Sequence, residues 1–395
     1  MLPLWGVVVA GFVIAACTLG LRSLGILQRW ELESFDQLMQ LRPDEGPDQR
    51  LFLVTITERD VQSQPAAERG VASLSDRALY RLLTKLKQGQ PRAIGLDIYR
   101  DYAVKPEFSQ LVNRMQRSDR LVAICHYGNP GVPPPPEVKS QSQGFNNVLL
   151  DSDSVIRRQL LAVSSAAPCQ NRFSFNFQLA IRYLKHKQIS VKFTPEAYLQ
   201  LGSVVFRTID ANTNGYYNLN ASGHQVMLNY RATRQVATRV SLQEVLSDDF
   251  DLAAIRDRIV LVGTTDQSFQ DTHWQTPYSQ NQGNVQTTSG VEIQAHMVSQ
   301  ILSAVLDQRP LIGWLPKPVE VIWIGAWALT GGLLAYSLRS LLHWLLSSGM
   351  MIVILYSSCL AILTVQGGWI PLVPTAIAFI ATGSTIILLP RLKRD

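Results

Sequence analysis

Arg92-Ala93-Ile94-Gly95-Leu96-Asp97-Ile98 is the stretch from which the fold is read, because a short apolar run carrying a carboxylate near its end is how a buried strand delivers a polar group to the edge of a sheet. Similar runs flank it. Leu51-Phe52-Leu53-Val54-Thr55-Ile56-Thr57 precedes it, and Leu121–Cys125 follows. Between the first two, Ser75-Asp76 offers a helix start, Leu79, Leu82, Leu83 and Leu86 recur at helical spacing, and Gly89 is the expected stop. A polar helix near Glu107–Arg117 separates the second run from the third. This βαβαβ order predicts a parallel sheet with right-handed crossovers.

The chain changes character after Cys125. Phe145–Leu150 and Val155–Val163 read as two strands about the turn Asp151-Ser152-Asp153-Ser154, with Asp151, Asp153 and Arg157 shaping a charged turn. A helix is expected over about Phe173 to Lys187, and a second hairpin around Asn220-Ala221-Ser222-Gly223. The run Pro133–Pro136 reads as a stiff, exposed loop. Arg258–Gly263 supplies another apolar strand, and Gly290–Leu306 an amphipathic helix with Val291, Ala295, Val298, Ile301, Leu302 and Val305 on one face. The predicted class is an α/β extracytoplasmic domain with a mainly parallel sheet and antiparallel hairpin insertions, plus four transmembrane α-helices.

The membrane part of that reading rests on composition. Of 395 residues, 47% are hydrophobic and only 17% charged, well under the quarter usual in soluble domains. No Asp, Glu, Lys or Arg occurs in Leu4–Leu21, Val321–Leu338 or Ser340–Pro390, so a wholly soluble chain is excluded. The last run is long enough for two crossings, divided by the bend-prone Gln366-Gly367-Gly368-Trp369-Ile370-Pro371. The expected order is a membrane helix at 1–22, an exported domain at 23–317, membrane helices at 318–338, 341–364 and 370–390, and a basic tail at 391–395. Trp314, Trp323, Trp344 and Trp369 fall near helix ends, where interface aromatics belong.

Arg339 and Arg391-Leu392-Lys393-Arg394 flank the later helices, whereas the loop Gln366–Pro371 is uncharged, so both termini are expected in the cytoplasm. Arg22 and Arg29 oppose this assignment mildly, but a long domain translocates despite such charges. Ile14-Ala15-Ala16-Cys17 also matches a lipoprotein cleavage box; with nothing basic before the run, a retained helix is the preferred reading. The domain is outside either way.

The net charge of +6 is largely a topology signal. Four of the 36 basic residues and one of the 30 acidic ones lie beyond position 320, which leaves 32 against 29 in 22–320. That region is only +3 and shows no basic tract with interleaved aromatics, so nucleic acid is not an expected partner. Of the four cysteines, Cys17 and Cys359 fall in membrane segments, while Cys125 and Cys169 share the exported domain. Those two are a disulfide candidate, with two buried thiols as the alternative. No CxxC, HExxH, GxSxG or GxxxxGK[ST] spacing occurs, and no metal or other cofactor is expected.

Several segments occur in an order that resembles a known family. They are Phe35-Asp36, Arg92–Ile98, Asp151-Ser152-Asp153-Ser154-Val155-Ile156-Arg157, Arg258–Gly263, Asp271-Thr272-His273-Trp274-Gln275-Thr276-Pro277 and Gly290-Val291-Glu292-Ile293-Gln294-Ala295-His296. The chain resembles the CHASE domain of the second type, the cyclase- and histidine-kinase-associated sensory extracellular domain, which typically has one membrane helix before it and three after. The resemblance covers nearly the whole chain and implies a sensor without naming its ligand. Val71-Ala72-Ser73-Leu74-Ser75 stands where the family often has a Gly-Arg-Trp-Pro-Trp-like segment, and Ser154 stands where its Asp-x-Asp-Gly turn has glycine.

Candidate ligand-binding residues follow from the strand ends. Asp97 ends one strand, and Thr264 and Asp266 leave another, so the two sets are expected to converge on one edge. The bland alternative for Asp97 is a loop-capping carboxylate. Asp271 and His273, in a polar loop with Thr276-Pro277, have donor atoms suited to a ligand or cation, or else a turn-stabilising and a solvated role. Glu292 and His296 share a helix face as an ion pair or a ligand pair. No catalytic residue can be named.

The leading functional reading is an extracytoplasmic sensor that relays through its membrane helices to a separate partner or as a homo-oligomer, because the few residues left for the cytoplasm have no room for a kinase, cyclase or phosphodiesterase. An envelope interaction or assembly protein is second. An exported hydrolase using Asp97, Asp271 and His273 is third, since no activated nucleophile stands out. The topology is directly testable: alkaline phosphatase fused after Gln282 should be active, and fused after Arg394 inactive. The opposite pattern would overturn the charge argument.

Overall fold

The computed structural model describes residues 4–69, 73–266, 273–281, 284–285, 287–338 and 340–392. The chain divides into two compact units, one formed by 43–208 with 222–311 and the other by 1–42, 209–221 and 312–395.

The first unit is built on six strands: β1 (Leu51–Ile56), β2 (Ala93–Asp97), β3 (Leu121–Cys125), β4 (Gln143–Phe145), β10 (Thr238–Ser241) and β11 (Ile259–Thr264). They form one parallel sheet in the order β10-β1-β11-β2-β3-β4. β1, β2, β3 and β11 are buried along their whole length, as a parallel sheet covered on both faces requires. Alternate residues serve the two faces. Leu51, Leu53, Val122, Ile124 and Leu261 pack under α7 (Phe175–Lys185) and α9 (Gly290–Asp307). Phe52, Val54, Leu96, Val260 and Val262 pack under α5 (Asp76–Gly89), α6 (Ser109–Arg117) and α8 (Leu242–Leu246). Gly95 lets α7 approach, since a Cβ there would lie 2.7 Å from both Phe175 Cζ and Leu179 Cδ1.

Two short helices, α3 (Glu58–Gln62) and α4 (Ala66–Arg69), precede α5. Ser75 caps α5 by accepting from the Ala78 N–H. The helix stops at Gly89 as expected, packed against Ile255 where a side chain would overlap, and it is Gln90 that takes the left-handed turn at φ 55°.

The hairpins are also placed differently. Phe145 joins the parallel sheet in β4, and β5 (Arg158–Ala162) pairs antiparallel with β9 (His224–Met227), leaving only a single bridge between Leu149 and Arg158. Asn220–Gly223 therefore leads into β9 without turning between neighbouring strands. Ionic bonds explain the departure at 151–158. Arg157, fully buried, donates to Asp151 at 2.9 Å and Asp153 at 2.6 Å, and Arg158 donates to Asp151 at 2.8 Å, so the turn folds back onto its own strand. Ser154 closes it at φ 65°, the backbone that glycine takes most easily. The remaining insertion is a meander of β6 (Val191–Phe193), β7 (Leu199–Leu201) and β8 (Val204–Phe206), and β12 (Gln280–Asn281) pairs with β13 (Asn284–Val285).

The second unit holds α1 (Leu4–Ser23), α2 (Gln28–Gln40), α10 (Lys317–Ser337), α11 (Leu341–Gln366) and α12 (Val373–Leu392). α1, α10 and α11 are each long and apolar enough to cross a bilayer, and α12 carries a shorter apolar stretch, Val373–Leu388. Gly331 meets the Phe379 carbonyl, which allows α10 and α12 the close approach typical of small residues between membrane helices. After α11, Gly367 turns at φ 67° and β15 (Gly368–Trp369) pairs in parallel with β14 (Gly313–Trp314). Trp369 and Trp344 are buried inside this unit rather than set at its surface; Trp369 lies between Phe35 at 4.8 Å and Tyr216 at 5.7 Å.

Candidate functional site

The carboxyl edge of the parallel sheet is built from residues that follow each strand. Asp97, the last residue of β2, sits level with Gly263 of β11, which brings it beside Thr264, as the strand order implies. Asp97 is buried, and its Oδ1 lies 3.5 Å from the Asn146 side-chain amide. Asn146 follows β4 and is the hub: its Oδ1 accepts from the Tyr99 hydroxyl at 2.8 Å, and its carbonyl accepts from Gln294 of α9 at 3.1 Å. His126, just past β3, places Nε2 3.0 Å from the Asn147 amide nitrogen and Nδ1 3.5 Å from the Tyr99 hydroxyl. That amide nitrogen can only donate, which makes Nε2 the acceptor of the pair. Tyr99 is 42% exposed, so the cluster opens to solvent at that end.

On the neighbouring strand the Asp266 carboxylate accepts from the Glu58 N–H at 3.4 Å, and Thr265 donates its N–H to the Ile56 carbonyl at 3.3 Å. These contacts tie the exit of β11 to that of β1. Asp271 lies outside the described residues, and His273 is exposed. The loop continues through Gln275, which accepts from the Ile156 N–H, and Thr276, whose N–H donates to Ser279.

Glu292 and His296 do not meet each other. Glu292 accepts from Ser289 in the capping box of α9 and pairs with Arg239 at 2.9 Å, while the His296 ring packs edge-on against Tyr230 with centroids 5.0 Å apart. Tyr99, His126, Asn146, Asn147 and Gln294 were absent from the sequence-based candidates. All but Gln294 lie within two residues of a strand's end, so reading a little further past each apolar run would have found them.

Beneath the edge runs a chain of buried amides. Asn176 donates to Gln294 at 2.8 Å, Gln159 donates to Asn176 at 2.7 Å, and Gln300 donates to Gln159 at 2.8 Å. The Asn229 N–H donates to Gln300 Oε1, and the Asn229 side chain donates to the Pro310 carbonyl at 2.8 Å. All five side chains are 2% exposed or less. Near its far end, Ser299 of α9 donates to Asp48 at 2.7 Å. Burial alone would raise the Asp48 pKa, but the Arg50 guanidinium and that hydroxyl outweigh it and hold it below the usual range.

Comparison with known families bears on the whole of this arrangement. A family model for the CHASE2 domain matches residues 12–333. The chain belongs to the CHASE2 family. No curated protein and no solved structure matched it. CHASE2 domains are sensory extracellular domains, so this is a membrane protein of the extracytoplasmic sensory class. The matched span takes in most of α1 and α10 as well as the parallel sheet, so the family pattern includes the flanking membrane helices.

One covalent bond anchors the edge of this CHASE2 domain. Cys125, immediately before His126, is joined to Cys169, with Cα atoms 5.8 Å apart and a sequence separation of 44. Closing a loop of that length restricts the unfolded chain by about 4 kcal/mol in the chain-entropy model, and measured effects usually run somewhat lower. Cys125→Ser with Cys169→Ser should therefore lower the unfolding free energy of the solubilised chain by about 2–4 kcal/mol, read from urea midpoints. An unchanged midpoint, or full alkylation of both cysteines in unfolded, unreduced wild type, would contradict the assignment.

Proposed function

We propose that this CHASE2 protein is a membrane-anchored sensor whose ligand, a small molecule or an envelope component, binds at the carboxyl edge of the sheet. Its signal leaves through the membrane helices to a separate partner or a second copy of the chain. The observation that carries this reading is the continuous run of buried amides from Asn146 to Pro310. A ligand drawing on Asp97, Tyr99 or Asn146 alters the bonds open to Asn146, whose carbonyl holds Gln294. Each amide further along must then keep or change its partner, because a buried amide left unpaired costs about 1–3 kcal/mol. The chain runs on from Pro310 to the start of α10 at Lys317.

Coupling of this kind needs two arrangements of α9 that bind the ligand with different affinity. The site is read as one for binding rather than catalysis, and the reading has four membrane crossings, α12 being the last, with both termini cytoplasmic. In nanodiscs, a compound that raises the unfolding temperature of the full chain serves as ligand. Asp97→Ala should weaken its effect by about tenfold or more, the worth of one charge-assisted hydrogen bond. Cysteines introduced at Leu315 should crosslink neighbouring chains to an extent that changes with the compound. Identical crosslinking with and without a compound shown to bind would favour the envelope-assembly reading.

A further inference from the structure

The opposite ends of the strands carry a feature that the Asp97 edge does not use. Between α5 and α6 lies a cleft of about 660 Å³ with Leu83, Ile94 and Leu121 in its lining and Lys87, Arg114, Arg117 and Arg120 around them. Asp119 and Arg120, at the start of β3, also line a second hollow of about 750 Å³, together with Arg92, Arg182, Lys185 and His186. The two hollows meet at these shared residues, and among the described residues Asp119 is the only acidic one lining either. Arg92 pairs with Asp257 at 2.6 Å, and Arg114 rests on the Tyr80 ring at 5.4 Å.

Arg182 is the most informative member. Its guanidinium donates only to the carbonyls of Asp119 and Gln141 and to the Ser142 hydroxyl, and its Nε is buried with no partner among the described residues. Among the described residues, no carboxylate pairs with it at ion-pair distance. Burial lowers its pKa, with Asp119 countering weakly, so the fold holds a partly desolvated cation without a matching anion. His186 reports the same field. Burial first, and then Arg92, Arg120 and Lys185, hold its pKa below the ordinary value, and its Nδ1 faces the Arg92 guanidinium at 3.1 Å.

Cations gathered in a concave surface repel one another and focus a positive potential outward. Arginine's planar fork suits oxyanions, which it grips with two parallel bonds. We propose that these joined hollows at the amino-terminal ends of β2 and β3 bind a ligand bearing several phosphate- or sulfate-type oxyanions. Arg117, Arg120 and Arg182 are its main contacts. This site stands apart from the Asp97 edge and does not depend on the relay reading.

The test uses the full chain in nanodiscs of uncharged phosphatidylcholine, titrated at low ionic strength with inorganic tripolyphosphate and, in a parallel arm, with short dextran sulfate. Tripolyphosphate should bind, and Arg117→Ala with Arg120→Ala should weaken it by about a hundredfold, tenfold for each lost charge-assisted contact. Both side chains are exposed, so the unfolding temperature should not change. Arg182→Gln should weaken binding too. Arg59→Ala removes an exposed charge near the other end of β1 and should leave binding intact. Bound oxyanion should also raise the His186 pKa, followed through its ring resonances. Preference between the arms tells phosphate from sulfate. No binding of either probe to wild type, equal losses in Arg59→Ala, or wild-type affinity in the Arg117/Arg120 variant would each overturn the proposal.

Discussion

A buried side-chain amide must find hydrogen bonds, and in this protein four of them, Gln159, Asn176, Gln294 and Gln300, find them chiefly in one another, while the Asn229 backbone N–H donates to Gln300 and its side chain bonds Pro310 and Arg309. This constraint fixes α9. Its apolar stripe lies on the sheet through Val291, Ala295, Val298 and Ile301, while its other flank presents Gln294 and Gln300 to the amides of β5, α7 and Asn229. Rotating a helix by one residue swings each side chain about 100°, which would break several of these bonds together. The helix is therefore held in one register by bonds that favour all-or-none change over gradual sliding. In the proposed sensor, a discrete alternative register is what the ligand would select.

The membrane unit solves a similar problem with charge. Arg22, at the end of α1, donates to Glu31 of α2 at 2.9 Å and to Glu320 of α10 at 3.0 Å, and also to Asn214 at 2.9 Å. One guanidinium thus serves two buried carboxylates. Burial pushes the Glu31 carboxyl up against the pull of Arg22, and its second oxygen is buried with no partner among the described residues. Asn214 in turn donates to the Trp369 carbonyl, so the ionic centre and the aromatic stack of Phe35, Trp369 and Tyr216 form one continuous packing. Read from sequence, Arg22 was a charge on the wrong side of a membrane helix; the structure neutralises it in place. Arg339, Lys393 and Arg394, which carried the opposite side of that topology argument, lie outside the described residues.

What was legible in the sequence was whatever a single period or a single composition encodes. The parallel strands were visible because burial on both faces demands unbroken apolar runs, and α5 and α9 because one face must repeat at helical spacing. The pairing of β5 with β9 was not, since its partners are more than sixty residues apart and the local turn at Asp151–Ser154 imitates a hairpin. At the carboxyl edge Asp97 and Thr264 were legible as strand-end residues. Tyr99, His126, Asn146 and Asn147 were not, because they stand one or two residues past β2, β3 and β4 in polar loops with no period to mark them, and only the side-by-side order of those strands gathers them. The cationic hollows were hidden for the same reason. Lys87, Arg120 and Lys185 are scattered in sequence and nearly cancelled in the total, and only the sheet order gathers them.

The claim at the centre of this account is that the carboxyl edge and the far end of α9 are one coupled system. Hydrogen exchange of the full chain in nanodiscs, compared between wild type and Asn146→Leu, addresses it without any ligand. The account predicts altered protection both near Gln294 and at the distant Asn229 and the last turn of α9, the points where the amide run ends. Changes confined to the first turn of α9, with Asn229 and Ser303–Asp307 exchanging as in wild type, would contradict it.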